Sequence, residues 1–297
     1  MTAKPISRRK LLKDSAKAAI AGTLFMNLPA TLMAGGNSRS KVVLIRDPRV
    51  VRENGDTDGD IINRMLDEAV VELTGRSSVQ DAWSAILRPD DVLGIKTNVW
   101  ARLRTPVELE QGIRRHAMDI GIRDEDISIL DRGVINDPVF KRATALINVR
   151  PMRTHAWSGV GTLIKNYIMF TGRPSALHPD SCADLAETWF YPQVKGKTRL
   201  NILVMLTPLF HGVGPHHFNR EYTWNYGGLL VGFDPVAVDT IGVRIIQAKR
   251  REYYGEDRPI NPPPKHIMVA DTKFGLGTAD PAKIELVRLG HQENALI

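Results

Sequence analysis

Cysteine is almost missing from this chain: Cys182 stands alone among 297 residues. One thiol cannot close an intrachain disulfide, build a Cys-ligated zinc site or hold a self-contained iron–sulfur cluster. Any divalent metal must therefore take His, Asp, Glu or carbonyl oxygen as ligands. Metal-binding spacings are missing too, since no H-x-x-x-H or H-E-x-x-H occurs. Gly212-Val213-Gly214 and Gly275-Leu276-Gly277 are glycine turns that do not continue into G-x-G-x-x-G. The fingerprint of a dinucleotide site is thus lacking. No G-x-S-x-G nucleophile elbow is present, and there is no internal repeat, coiled coil or low-complexity tract.

Basic charge is present but confined. The net charge is +7, yet residues 1–40 carry Lys4, Arg8, Arg9, Lys10, Lys13, Lys17 and Arg39 against Asp14 alone, a net of +6. Residues 41–297 keep about +1, so the charge is poor evidence for a nucleic-acid surface, and no nucleic-acid partner is expected. Ser7-Arg8-Arg9-Lys10-Leu11-Leu12-Lys13 resembles the twin-arginine export motif, with Leu11 where Phe is usual. The weakly apolar run from Ala16 to Met33, broken by Asn27 and Pro29, is too interrupted for a comfortable membrane span and fits the apolar part of a signal. Residues 1–40 are therefore expected to be a signal peptide and linker, with cleavage near Ala34 or Gly35. The twin-arginine translocase is the expected partner and the periplasm, or another exported location, the expected destination.

The remaining 41–297 reads as an α/β domain with an open, largely parallel sheet flanked by helices. Apolar runs of strand length occur at 41–45, 91–95, 127–130, 145–149, 201–206, 228–232, 266–270 and 284–289. Between them, Ile61, Ile62, Met65, Leu66, Ala69, Val70 and Leu73 recur at helical spacing until Gly75, and Pro235 to Lys249 follows an N-cap at Asp234. The strand at 145–149 is expected to end at Arg150-Pro151. A small-residue turn, 158–162, then leads into a helix opening at Leu163.

Polar residues follow each of the first five strands: Arg46/Asp47, Lys96/Asn98, Asp131/Arg132, Arg153/His155 and His211. In an open parallel sheet these share one edge, where ligands bind. His155 is the acid/base candidate with Lys165, and flanking cations should favour its neutral form. Lys96, Asn98, Arg153, Asn166 and Asp131 are the candidate ligand contacts. The composition of this edge favours a small anionic ligand. If a divalent metal assists, His155, His211 and His216 are its candidate ligands, with at most one of the adjacent His216 and His217 suited to a shared site. Asp239 is expected to face solvent or a neighbouring cation, and Cys182 to be a half-buried thiol on a helix. A periplasmic binding or redox-partner maturation protein without turnover is the alternative class. It would present an open cleft or an apolar patch near Trp157, Trp189 or Trp224.

Three segments together resemble domain-of-unknown-function family 362. Residues 91–98, DVLGIKTN, are similar to its "vgiKvN" element, and Asn148 to Asn166 to "lpk-lKtH…gvt-alKN". Residues 228–239, GLLVGFDPVAVD, are similar to "g-liag-DPvAvD". The resemblance spans most of residues 41–289 and places Lys96, Asn98, His155, Lys165, Asn166, Asp234 and Asp239 at motif positions. Some family members carry ferredoxin-type iron–sulfur modules. This chain has no cluster cysteines, and it has Arg153 where Lys is frequent.

Overall fold

The computed structural model describes residues 39–212, 214 and 217–297. The arginine pair and apolar run of the expected export signal lie outside the described residues, as does His216.

Eight strands form one sheet: β1 Ser40–Arg46, β2 Leu93–Lys96, β3 Ile127–Leu130, β4 Ala145–His155, β5 Gly159–Gly161, β6 Thr198–Leu209, β7 Gly228–Gly232 and β8 Ile284–Gly290. Their order is β3-β2-β4-β6-β7-β1-β8, with β5 paired to β4. Pairing is parallel at β2/β3, β2/β4, β4/β6 and β1/β8. β7 runs against both β6 and β1, and the short β5 folds back on β4. The protein is thus an α/β fold with a mixed, mostly parallel sheet, as the alternation of strand and helix patterns implies.

Both faces of the sheet are covered. On one, Val43, Ile45, Ile95, Ile147, Val149, Ile202 and Val204 meet three helices: α1 Gly59–Thr74, α2 Val79–Ser84 and α3 Val107–Asp119. α1 is opened by Asp58, whose side chain accepts the N–H groups of Asp60 and Ile61, and is closed by Gly75 at φ 64°. On the other face, Val42, Leu44, Leu146, Leu203 and Leu230 pack with α4 Pro138–Arg142, the single turn α5 Leu163–Asn166, and α6 Pro235–Tyr254. Asp234 caps α6 by accepting from Val236 and Ala237. α7, Lys265–Thr272, lies on the same side.

Three expectations need correction. First, β4 does not stop at Val149 but runs on through Arg150-Pro151 to His155. A proline is tolerated in a strand where the ladder is irregular, and the pairing with β6 shifts register between Pro151 and Arg153. Second, residues 159–161 are a strand, so the chain makes a hairpin before α5 rather than a simple turn. Third, 266–270 is helical, not a strand. Burial of His266, Ile267 and Ala270 follows helical spacing, and a short apolar run alone does not distinguish the two.

Candidate anion-binding site

β2 connects leftward to β3, whereas β4 connects rightward to β6, so the crevice between the carboxyl ends of β2 and β4 is a topological switch point. Open α/β sheets bind ligands at such points. Here the face packed with α5 and α6 holds polar side chains among its aliphatic ones. Asn148 and Arg150 alternate with Ile147 and Val149 along β4, Lys96 ends β2, and Lys165 and Asn166 come from α5.

One group of these residues is a structural knot. Lys96 is fully buried and donates to Thr97 O (2.6 Å), Asp131 Oδ1 (3.1 Å) and Asn166 Oδ1 (3.3 Å). Asn166 Nδ2 donates to Lys96 O, Asn148 Oδ1 and Val149 O, joining β2, β4 and α5. Asn148 in turn donates to Leu163 O and Asn201 Oδ1. Burial pushes the Lys96 ammonium down to about 8 despite Asp131. Burial also works upward on Asp131, but Lys96, the Val99 N–H and Arg150 hold it below the usual carboxylate value. Lys96 and Asn166, both candidate ligand contacts from sequence, thus spend their hydrogen bonds on the protein itself.

The second group is cationic and poorly partnered. Arg150 is 3% exposed, with its guanidinium against the backbone of Gly161, where a Cβ would lie 2.7 Å from Nη2. Among the described residues its Nε is buried without a hydrogen-bond partner, and the same holds for Nε of Arg153. Arg153 donates from Nη1 to Asn98 Oδ1 (2.9 Å) and lies over the Trp100 ring at 4.6 Å. Lys165 is 4% exposed and, among the described residues, has one hydrogen-bond partner, Cys182 Sγ at 3.9 Å. Burial raises the Cys182 thiol, so it stays protonated at neutral pH and is no counterion. Burial pushes Lys165 down to about 8 and Arg153 to about 8, with Arg150 lowering both further.

His155 closes this group at the end of β4. Its Nδ1 accepts the Trp157 N–H (3.2 Å), which assigns the ring proton to Nε2. Burial, then Lys165, Arg150 and Arg153, hold the imidazole neutral, far below its ordinary value. The expected neutrality is therefore present, but so deep a depression makes His155 a weak base until the neighbouring cations are balanced. Positive surroundings also disfavour a metal cation at this ring. His211 lies elsewhere, beside Arg250 and edge-on to Tyr222. Among the described residues no three His, Cys, Asp or Glu side chains gather as a metal-binding group.

Four buried cations, Lys96, Arg150, Arg153 and Lys165, thus face one buried carboxylate, Asp239, and one half-buried carboxylate, Asp131. Of the two surroundings expected for Asp239, solvent or a neighbouring cation, the first does not hold: it is fully buried, with Arg150 as a charged neighbour. It accepts the Leu163 and Ile164 N–H groups, both at 3.0 Å, and so caps α5 from α6. Burial pushes its carboxyl up to about 7 against these donors and Arg150. His266, also fully buried, shares a 3.2 Å hydrogen bond with Thr162 and leaves Nδ1 unpartnered. Cys182 follows two other left-handed residues, Asp180 and Ser181, and is fully buried rather than on a regular helix.

Two described residues after β6, Gly214 and Phe218, lie close to the site. Gly214, at φ 66°, sits so close to β4 that a Cβ would lie 2.5 Å from Thr154 O, and Phe218 packs edge-on against Trp100. On the opposite face the same strand ends border a cleft of about 420 Å³ lined by residues including Arg52, Arg104, Pro151, Met152 and Thr207. Of the five expected strand ends, β2, β3 and β4 converge. Arg46, which ends β1, and Asp47, which follows it, are absorbed in contacts to Tyr226 O, Glu293 O, Arg49 and Arg64. Arg150, Trp100 and His266 were missed in the sequence reading. Arg150 carried one usable signal, its place two residues after Asn148, which the expected stop at Pro151 concealed.

The fold and this cluster define a doubly covered α/β protein with excess positive charge buried at a sheet switch point. Residues 113–244 match the family model for Domain of unknown function (DUF362). That span includes β4, α5 and the Asp234–Asp239 segment and supports the family, while Lys96 and Asn98 fall before it. No curated protein and no solved structure matches the chain.

Proposed function

We propose that this is an exported α/β protein that seats a small anion between β2, β4 and α5, with Arg150 and Arg153 as its cationic contacts and Lys165 and His155 as the reactive pair. One observation carries the reading: among the described residues, two buried guanidinium groups each keep an Nε without an acceptor. An unsatisfied charged donor costs roughly 1–3 kcal/mol, more when the charge lacks a partner, and an anion there would relieve it. Bound negative charge would also raise the His155 pKa toward its ordinary range, so ligand and general base would arrive together.

The test is thermal melting of the full chain in chloride buffer against titrated inorganic phosphate, with sulfate as a second oxyanion. Saturable stabilisation is expected, about 2.7 kcal/mol at a hundredfold excess over the dissociation constant. Melts indifferent to both oxyanions at constant ionic strength would refute the site.

A further inference from the structure

The two buried lysines differ in a way that separates a structural amine from a reactive one. Lys96 has three oxygen acceptors, one of them a carboxylate. Among the described residues Lys165 has no oxygen acceptor; its one polar contact there is the Cys182 thiol, which favours its proton, while Arg150 and Arg153 oppose it. A buried ammonium among guanidinium groups, without a counterion, favours the free amine, and a free amine in a water-poor site is a nucleophile toward carbonyl carbon. The same guanidinium pair suits a carboxylate.

Building on the proposed anion site, we propose that Lys165 condenses with the ketone of a small oxo-carboxylate whose carboxylate rests on Arg150 and Arg153. The Lys165 Nζ lone pair attacks the carbonyl carbon, the carbonyl π pair moves to oxygen, and one Nζ proton is transferred to that oxygen. Loss of the second Nζ proton and departure of the hydroxyl then release one water and leave an imine. Amine plus ketone gives imine plus water, with no change in oxidation state and no further reactant. His155, carrying its proton on Nε2, is the group on β4 suited to relay protons between nitrogen and oxygen. The hairpin β4–β5 and the Asp239-capped α5 hold the participating side chains on one short stretch, Arg150 to Lys165.

The experiment uses the full wild-type chain with pyruvate and sodium cyanoborohydride, which delivers hydride to the imine and makes a stable secondary amine. Peptide mass spectrometry locates the adduct, and acetone serves as a ketone without a carboxylate. One dominant adduct on Lys165 is expected with pyruvate. Acetone should label that residue about tenfold less or weaker still, the effect of losing one charge-assisted contact. Lys165→Arg should abolish the adduct while the chain still melts cooperatively. Equal labelling by acetone and pyruvate overturns the substrate class. Labels scattered over surface lysines, or none at Lys165 while phosphate still stabilises the chain, overturn the nucleophile and leave the anion site standing. No label together with no phosphate effect removes both.

Discussion

Replacing Lys165 by methionine should make this protein more stable, although it deletes a buried polar group. Methionine keeps the length and the apolar stem, so little packing is lost. What goes is a charge that the fold accommodates badly. Burial, with Arg150 and Arg153 adding to it, pushes Lys165 from 10.5 to about 8. At about 1.4 kcal/mol per pH unit of displacement, holding the proton in the folded state at neutral pH costs about 3 kcal/mol. Relaxation around the charge reduces that figure, and a gain of roughly 1–3 kcal/mol is expected for Lys165→Met at pH 7.

Lys96→Met is the control, because Lys96 is pushed down to about 8 as well. There the substitution strands Asp131, Thr97 O and Asn166 Oδ1, and breaking such a buried pair costs roughly 3–5 kcal/mol. The two lysines should therefore move stability in opposite directions. Urea unfolding in chloride buffer, free of oxyanions, measures both. pH adds a second reading. Between about 8 and 10.5 the unfolded chain holds a proton on Lys165 that the folded chain has released, so wild-type stability rises with pH across that window. The advantage of Lys165→Met should accordingly shrink from pH 7 to pH 10. A destabilised Lys165→Met variant, or an advantage unchanged by pH, would refute the view of Lys165 as an unbalanced cation.

Three further outcomes are expected. His266 is held neutral, down to about 3, so below pH 6.5 the unfolded state takes up a proton that the folded state refuses, and stability is lost as pH falls. His266→Gln should flatten the acid arm between pH 6 and 4 by about 1.4 kcal/mol per pH unit relative to wild type, read from urea midpoints; parallel curves would contradict it. A Cβ at Gly161 would meet Arg150 Nη2 at 2.7 Å, so Gly161→Ala should displace the guanidinium and reduce the phosphate-induced rise in melting temperature, while costing only about 1 kcal/mol of stability. An unchanged phosphate response would detach Arg150 from the site. Arg8→Lys with Arg9→Lys should leave the protein folded but unexported in a host with the twin-arginine translocase, by cell fractionation, and normal export would remove the compartment assignment.

Local chemistry made much of the architecture legible. The period of Ile62, Met65, Leu66, Ala69, Val70 and Leu73 ends at Gly75, and α1 follows it residue for residue, because one apolar stripe and one left-handed cap need no distant partner. Asp234 before Pro235 is an equally local signal, and it does cap α6. Strand positions in β1, β2, β3, β6, β7 and β8 followed from apolar runs, and their alternation with helices implied the mostly parallel sheet. The convergence of Lys96, Asn98, Asp131, Arg153 and His155 on one edge followed from strand direction alone.

Tertiary structure decided the rest. Pro151 lies within β4 because a register shift against β6 accommodates it, and pairing between segments some fifty residues apart leaves no local mark. That continuation brings Arg150 into the interior. Asp239 became a buried cap because α5, from a different part of the chain, presents two N–H groups to it. His266 looked like part of a strand because five residues cannot separate strand from helix by period. Lys96 and Lys165 look alike in sequence, each near a strand end or helix start with an asparagine close by. Only the three-dimensional arrangement gives one a carboxylate and the other two guanidinium groups, because a side chain's charge balance is set by neighbours in space.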